Sequence, residues 1–113
     1  MCTERQLQNA LRETQAGLRN IFGSALSDVL LYGSYARGDQ DEESDVDIMA
    51  LVDMREQDLA GYRRRVSDFT SDLDLAHGVV LSITLQDAQS FRRYAKTLPF
   101  FQNVMREGIS LVQ

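Results

Sequence analysis

With 113 residues, of which 43% are apolar and 26% charged, the chain has the size and composition of one ordinary globular domain. Its 17 acidic residues outnumber its 12 basic ones, and the resulting net charge of −5 argues against a broad surface for a nucleic-acid backbone. A single cysteine, Cys2, and a single histidine, His77, exclude an internal disulfide and a Cys/His zinc site.

No apolar stretch approaches the about 20 residues that a membrane-spanning helix requires. The first residues also lack the basic start and apolar run of a secretory signal. No linker, repeat or shift in composition divides the chain. We therefore expect one domain over residues 1–113, a cytoplasmic location and no membrane partner.

The first elements are a helix and a short strand. Thr3 and Gln6 fit a capping box, which predicts a helix start at this point. Gly23 is the expected end of this helix, and the apolar run 29–32, stopped by Gly33, is typical of a strand. The helix would bury apolar residues that recur at helical spacing: Leu7, Leu11, Leu18 and Ile21.

Residues 45–52 alternate in the way a strand requires. Successive side chains of a strand point to opposite faces. One face would carry Val46, Ile48, Ala50 and Val52, and the other would carry Asp45, Asp47, Met49 and Leu51. Both faces become apolar toward the end of the segment, so we expect an interior strand with its two aspartates near the start.

A long helix is predicted from residue 55 to residue 76, closed by His77 and Gly78. Its polar face would carry the arginines 63–65. These arginines and the pair 92–93 are expected to be solvated, and a docking patch for an acidic partner or a phosphate is the alternative. The apolar stripe of the helix steps by three and four residues: Leu59, Tyr62, Val66, Phe69, Leu73 and Ala76.

The remaining segments complete a helix-covered sheet. Residues 79–85 are rich in β-branched side chains and predict a third strand, followed by a helix from Gln86 or Asp87. Pro99 opens a short helix that Gly108 ends, and residues 109–112 could add a last strand. The fold class is therefore α/β or α+β, a mixed β-sheet with helices packed against it. Four aromatic residues are expected in the core, with an interface as the alternative: Phe91, Tyr94, Phe100 and Phe101.

Asp45 and Asp47 are the strongest candidates for a metal site. Residues i and i+2 of a strand share a face, so both carboxylates would point into one volume and repel each other. A bound cation reverses that energy, and hard oxygen ligands suit Mg²⁺ or Mn²⁺. The acids from Asp39 to Glu43 are expected to form a solvated turn. An Asp-X-Asp by itself occurs by chance in many proteins, so the case for a metal depends on its position after Gly33-Ser34 at a second strand boundary.

Gly33 and Ser34 supply a second feature at a strand end. Glycine permits a tight turn and close approach of the backbone to a ligand, and a helix that opens at Ser34 would direct N–H groups and a hydroxyl at an anion. Adjacent metal and phosphate sites together indicate nucleotide triphosphate binding. Phosphoryl or nucleotidyl transfer requires little beyond positioning and charge neutralisation.

These motifs resemble a known family. Gly33-Ser34, ten residues and then Asp45-X-Asp47 match the signature of the DNA polymerase beta-like nucleotidyltransferase superfamily. The fuller string Gly-Ser-Tyr-Ala-Arg-Gly-Asp with Ser-Asp-Val-Asp-Ile resembles its minimal nucleotidyltransferase (MNT) branch. The resemblance implies the nucleotidyltransferase fold and transfer of a nucleoside monophosphate, usually AMP from ATP, to a hydroxyl.

The resemblance also implies roles for matching positions. Asp45 and Asp47 would be catalytic and would ligate Mg²⁺ (or Mn²⁺) over the α-phosphate. Gly33 and Ser34 would hold the terminal phosphates of the nucleotide, with Arg37 assisting a phosphate.

One position departs from the pattern of the family. Active members use a third carboxylate on a later strand, and the position that aligns with it is Ser82. Serine cannot supply the charge, and neither Asp74 nor Asp87 is an obvious substitute.

Two functions therefore remain open. Small stand-alone members of the branch are commonly antitoxins that pair with a helical HEPN-type toxin and can AMPylate it. The chain is expected either to be such an enzyme or to be a catalytically impaired interaction module that binds a partner, and nucleotide, without turnover. Ser82 favours the module, and the intact Gly-Ser and Asp pair favour the enzyme. Nucleic acid is the least favoured partner because of the acidic charge.

Overall fold

The computed structural model describes residues 2–112, which form a four-stranded sheet with helices on both faces. The strands are β1 (Leu26–Tyr32), β2 (Val46–Val52), β3 (Leu81–Asp87) and β4 (Ile109–Ser110), in the order β3-β2-β1-β4. β1 is antiparallel to both β2 and β4, whereas β2 and β3 are parallel. The predicted mixed sheet and the interior position of β2 are confirmed.

Six α-helices and two 3-10 turns connect and cover the strands in this part of the chain. The 3-10 turns are Gly23–Ala25 and Ala60–Tyr62. The helices are α1 (Glu4–Phe22), α2 (Ser34–Arg37), α3 (Glu56–Leu59), α4 (Arg63–His77), α5 (Ala88–Tyr94) and α6 (Pro99–Glu107). None of the helices between residues 2 and 112 is both long and apolar enough to cross a membrane.

The predicted capping box starts α1. The Thr3 hydroxyl accepts a hydrogen bond from the Gln6 N–H, and the Gln6 side chain accepts one from the Thr3 N–H at 2.7 Å. Two of the N–H groups that a helix start leaves unpaired are satisfied in this way. Gly23 ends the helix with a φ of 58°.

The alternation of β2 divides the core between the two faces of the sheet. Val46, Ile48, Ala50 and Val52 are buried against α1 and α4, in one cluster with Leu18 and Leu73 among others. On the opposite face Met49 and Leu51 pack with α5 and α6 in a second cluster. The members that α5 and α6 contribute to this second cluster are Ala88, Phe91 and Val104.

The helix predicted over residues 55–76 is interrupted, and this prediction was wrong in its continuity. α3 ends at Leu59, a 3-10 turn follows, and α4 begins at Arg63. Gly61 lies in that turn, and glycine is a poor helix former because it loses much backbone entropy on folding. The turn preserves the phase of the apolar stripe, because Leu59, Val66 and Leu73 are all buried.

Strand boundaries differ from the predictions by a few residues. β1 starts at Leu26 rather than at residue 29, β3 covers 81–87 rather than 79–85, and β4 ends at Ser110 rather than at residue 112. Asp87 explains the end of β3, since it is the last strand residue and also the N-cap of α5. Its carboxylate accepts hydrogen bonds from the backbone of Gln89 and Ser90.

The C-terminal aromatic residues divide between core and surface. Phe91 is 2% exposed, and its ring lies 5.0 Å from that of the half-buried Phe101. Tyr94 and Phe100 are 43% and 51% exposed. The core prediction is therefore confirmed for the first pair and wrong for the second.

Candidate active site

Three side chains form a row across one end of the sheet. Tyr32 of β1 pairs with Asp47 of β2, and Asp47 pairs with Ser82 of β3. Directly paired residues point to the same face. Asp47 shares its parity with Met49, so the row lies on the face that α5 and α6 cover further along. Asp45 precedes β2 and is exposed beside it.

Gly33 brings the turn after β1 against Asp47. Its φ of 75° and ψ of −156° belong to a backbone region that only glycine occupies readily. A Cβ atom at this position would lie 2.3 Å from Asp47 Oδ2. Glycine is therefore required twice, once for the turn and once for the approach of the carboxylate to the backbone.

The turn continues directly into α2. The Gly33 carbonyl accepts hydrogen bonds from the N–H groups of Ala36 and Arg37, both at 3.1 Å. Ser34 is the first residue of α2 and is partly exposed. The structure thus brings the predicted phosphate-binding residues, Gly33, Ser34 and Arg37, to the same end of the sheet as Asp47.

The surroundings of Asp47 disfavour its charged form. Burial raises its pKa above the ordinary aspartate value, and the negative charge of Asp45 raises it further. The positive charge of Arg37 opposes these two effects. The charged form of Asp47 is therefore disfavoured. A cation between the two carboxylates would offset both the cost of burying that charge and the repulsion from Asp45.

Asp45 and Asp47 fit a Mg²⁺ site of the kind that a nucleotide completes. Mg²⁺ is commonly held by one or two carboxylates together with substrate phosphates and water. Residues 2–112 contain no cluster of three or more Asp, Glu, His or Cys side chains placed to hold a metal. The protein part of such a site would therefore consist of this pair.

Ser82, the position predicted to replace the third carboxylate, lies next to the aspartate pair. Ser82 is directly opposite Asp47 and is exposed. The acids nearby in sequence are engaged elsewhere: the Asp74 carboxylate accepts the Leu81 N–H at 2.9 Å, and Asp87 caps α5. Neither carboxylate replaces Ser82.

Arg37 is held by two carboxylates. Its guanidinium donates to Asp39 Oδ2 at 3.1 Å and to the two carboxylate oxygens of Glu107 at 3.2 and 3.3 Å. These hydrogen bonds raise the pKa of Arg37 above its ordinary value. Asp39 is exposed like the acids 41–43, as expected of a solvated turn, and differs from them in its ion pair with Arg37.

Glu107 is a site residue that the sequence analysis missed. Besides binding Arg37, it accepts the Gly33 N–H at 3.2 Å across 74 positions of sequence. The pairing of Leu31 with Ile109 returns the chain to the end of β1 and so places Glu107 there. The predicted last strand was the available signal, but its partner could not be read from the sequence.

Tyr32 is a second such residue. Its ring meets that of Phe100 edge to face, with centroids 5.8 Å apart. Burial raises the pKa of the phenol, a hydrogen bond with Thr84 opposes that shift, and the charge of Asp47 adds to it. The phenol therefore borders the acidic end of the sheet as a neutral polar group.

A family model described as a nucleotidyltransferase domain matches residues 11–96, which is more than half of the chain and includes both Gly33 and the aspartate pair. The chain belongs to the nucleotidyltransferase domain family. This membership confirms the predicted enzyme class and the family to which the Gly-Ser and Asp-X-Asp motifs pointed.

Two relatives of this nucleotidyltransferase come from Methanocaldococcus jannaschii. "Putative protein adenylyltransferase MJ0604" is 32% identical over 101 residues, covering 89% of this chain and 93% of the relative. "Putative protein adenylyltransferase MJ0141" is 35% identical over 72 residues, covering 64% of this chain and 71% of the relative.

Two solved structures share the fold. One is a toxin-antitoxin with AMP-PNP, 20% identical with a TM-score of 0.56, and the other is the toxin-antitoxin MntA-HpeT in a mutant form, 17% identical with the same TM-score of 0.56. Each match covers 89% of this chain and 72% of the other. At this identity the likeness confirms the nucleotidyltransferase fold.

Proposed function

We propose that the chain transfers AMP from ATP, bound with Mg²⁺, to a hydroxyl group of a partner protein. The observation that carries the proposal is the approach of the Asp47 carboxylate to the Gly33 turn, with Asp45 and Arg37 beside them. Two carboxylates beside a backbone turn are a typical arrangement for binding Mg²⁺ together with the phosphates of a nucleotide. The names of the two M. jannaschii relatives support a protein as the acceptor.

In this proposal each residue has a defined task. Asp45 and Asp47 would hold the divalent ion, which when bound would neutralise phosphate charge and polarise the α-phosphate. Gly33 and Ser34 hold the terminal phosphates through N–H and hydroxyl donors, and Arg37 adds a charge-assisted bond. The acceptor oxygen forms a bond to the α-phosphorus, the bond to the bridging oxygen breaks, and pyrophosphate leaves while the hydroxyl proton passes to solvent.

The partner in this proposal is a HEPN-type toxin, and the chain is its antitoxin. The two structural neighbours are toxin-antitoxin proteins, one of them with a nucleotide analogue. The mutant neighbour has two aspartates, two positions apart, replaced by glutamate, a spacing equal to that of Asp45 and Asp47. These similarities support both the nucleotide site and a protein partner.

A second candidate function rests on Ser82. A serine directly opposite Asp47 leaves the site without a third carboxylate to accept the proton of the acceptor hydroxyl. The chain would then bind nucleotide and partner without transferring AMP. Inhibition of the partner would depend on the complex alone.

The nucleotide site is tested by thermal unfolding. Saturating Mg²⁺ with ATP should raise the melting temperature, since a ligand present at 100 times its Kd adds about 2.7 kcal/mol to the free energy of unfolding. Asp45→Asn with Asp47→Asn should abolish the increase. Glu42→Gln with Glu43→Gln removes the same two charges from the neighbouring exposed loop and should leave the increase intact. An equal increase in both double variants would refute the metal-site assignment.

Transfer is tested with labelled ATP, Mg²⁺ and the protein encoded by the adjacent gene. Mass spectrometry of that partner should show the mass of one added AMP, and the Asp45→Asn variant should not produce it. A tight complex without an adduct would favour the second function. Ser82→Asp, which places a carboxylate opposite Asp47, should then produce the adduct.

A further inference from the structure

Glu107 contacts two of the groups that the proposed function assigns to the terminal phosphates. Its Oε1 accepts the Gly33 N–H at 3.2 Å and a hydrogen bond from Arg37 Nη1 at 3.2 Å. The side chain is 19% exposed, so most of it is shielded from water in this position. Glu107 lies beyond the region 11–96 that the family model matches, and the contact belongs to the C-terminal segment of this chain.

The backbone that carries Glu107 is firmly held. Val104, one turn earlier in α6, is 1% exposed in the second core cluster, and Gly108 donates its N–H to the Val104 carbonyl at 2.8 Å. β4 then pairs with β1 through Ser110 and Ile109. Rotation of the Glu107 side chain is therefore sufficient to free the Gly33 N–H, and α6 does not need to move.

A carboxylate oxygen and a phosphate oxygen compete for the same donors. Both are anionic acceptors that bind backbone N–H groups and arginine. One N–H cannot donate a full-strength hydrogen bond to Glu107 and to a phosphate at the same time. The local charge adds to this conflict, because Arg37 already pairs with Asp39 and Glu107, and its charge also acts on Asp47, before any phosphate arrives.

We propose that Glu107 is an internal competitor for the terminal phosphates of the nucleotide and lowers the affinity of the site for them. The inference rests on the proposed function, because it places those phosphates at Gly33 and Arg37. The ligand class is a nucleoside di- or triphosphate. A nucleoside monophosphate lacks the terminal groups and is not subject to the competition.

The test compares binding of AMP-PNP and AMP, each with Mg²⁺, to the wild-type chain and Glu107→Gln by calorimetry. Glutamine keeps the size and one acceptor oxygen but removes the charge. AMP-PNP should bind about threefold or more tightly to Glu107→Gln, while the affinity for AMP should not change. Glu43→Gln removes an equal charge from the exposed loop and should leave both affinities at the wild-type value.

The amide resonance of Gly33 supplies a readout that does not depend on affinity. Its proton chemical shift should change when Glu107 is replaced by glutamine, because an uncharged oxygen is a weaker acceptor, and again when AMP-PNP is added to the wild-type chain, because a phosphate oxygen then replaces Glu107 as the acceptor. An affinity for AMP-PNP that is unchanged or weaker in Glu107→Gln would refute the competition. An equal gain in Glu43→Gln would also refute it, by showing a general effect of charge.

The two proposals fail in different ways. If the wild-type chain binds AMP-PNP through the aspartate pair and Glu107→Gln binds no better, the competition fails and the proposed function stands. If neither the wild-type chain nor Glu107→Gln binds AMP-PNP, although both are folded by circular dichroism, the proposed function fails and the competition fails with it.

Discussion

Gly33 meets two requirements: a backbone conformation that favours glycine and space for the Asp47 carboxylate beside it. A series of alanine substitutions separates the contributions of the two to stability. Gly33→Ala combines an unfavourable φ with a Cβ 2.3 Å from Asp47 Oδ2, whereas Gly38→Ala has only the unfavourable φ of 81° in open space. We expect losses in the free energy of unfolding of about 2–3 kcal/mol and about 1 kcal/mol, respectively. Urea denaturation measures both.

Gly61→Ala is the control for this series. Gly61 has an ordinary backbone conformation, and a Cβ there meets nothing within 4 Å. We expect a gain of about 0.4–1 kcal/mol, because alanine lowers the backbone entropy of the unfolded chain and fits here without strain. Only Gly33→Ala should also abolish the melting-temperature increase with Mg²⁺ and ATP. Equal losses at Gly33 and Gly38 would show that the Asp47 carboxylate moves away at little cost.

Asp47 should destabilise the chain whenever no metal is present. Its pKa in the folded state is raised, so the folded chain gains stability as the pH falls below that pKa and loses it as the pH rises. At neutral pH in EDTA, Asp47→Asn should raise the melting temperature by roughly 2–4 °C, for a penalty of about 0.5 kcal/mol after allowance for partial exposure. Below about pH 4, where Asp47 becomes protonated in both states, the difference should disappear.

The exposed Asp72 of α4 provides the control for this measurement. Asp72→Asn makes the same chemical change away from the site, and this variant should melt at nearly the wild-type temperature at each pH. An Asp47→Asn variant that melts at the wild-type temperature or below it in EDTA would contradict the unfavourable effect of burial and of Asp45 on the charged carboxylate.

The local residues of the site could be predicted from the sequence, and Glu107 could not. Gly33, Ser34, Asp45 and Asp47 lie within one strand–turn–strand segment, where spacing and strand alternation determine which side chains meet. Glu107 reaches the site only through the pairing of β4 with β1. Pairing between distant segments depends on how the complete core packs, which no local pattern encodes.

At the scale of elements, α1 and α4 approach each other closely at Gly17. A Cβ on Gly17 would lie 2.2 Å from Cζ of the Phe69 ring. Alanine favours a helix interior over glycine by about 1 kcal/mol, but here the ring must move out of its packed position. We expect Gly17→Ala to lower the free energy of unfolding by about 1 kcal/mol net.

A double-mutant cycle with Phe69→Leu tests whether the ring is the cause. The double variant Gly17→Ala with Phe69→Leu should be more stable than the sum of the two single changes indicates. If Gly17→Ala by itself stabilises the chain, Phe69 moves aside without cost and the close contact is not a constraint.

The elements themselves were predictable where the signal is local. The Thr3–Gln6 capping box and Gly23 correctly bounded α1, and Pro99 and Gly108 correctly bounded α6. The break between α3 and α4 escaped prediction because the apolar stripe continues through Gly61. β3 extends two residues beyond its predicted end because Asp87 is both the last residue of the strand and the N-cap of α5. A hydrophobic pattern does not show that one residue can belong to both elements.

For the whole molecule, the order of elements predicted a mixed sheet with helices, and the structure and the family both agree. What the order could not specify is that α5 and α6 cover the face opposite α1 and α4. That arrangement requires the second apolar face of β2, formed by Met49 and Leu51, to be matched with Phe91 and Val104. Sequence patterns show that such faces exist but not how they combine.

The antiparallel pairing of β1 and β2 also suggests an order in which the site forms. Contacts between close sequence neighbours form faster than those between distant segments. Gly33 and Asp47 therefore meet as soon as residues 26–52 pair, while Glu107 must close a loop of 74 positions to reach the same turn. On a ribosome, the turn at Gly33 and its partner Asp47 would be synthesised before Glu107, the carboxylate proposed to compete for the Gly33 N–H.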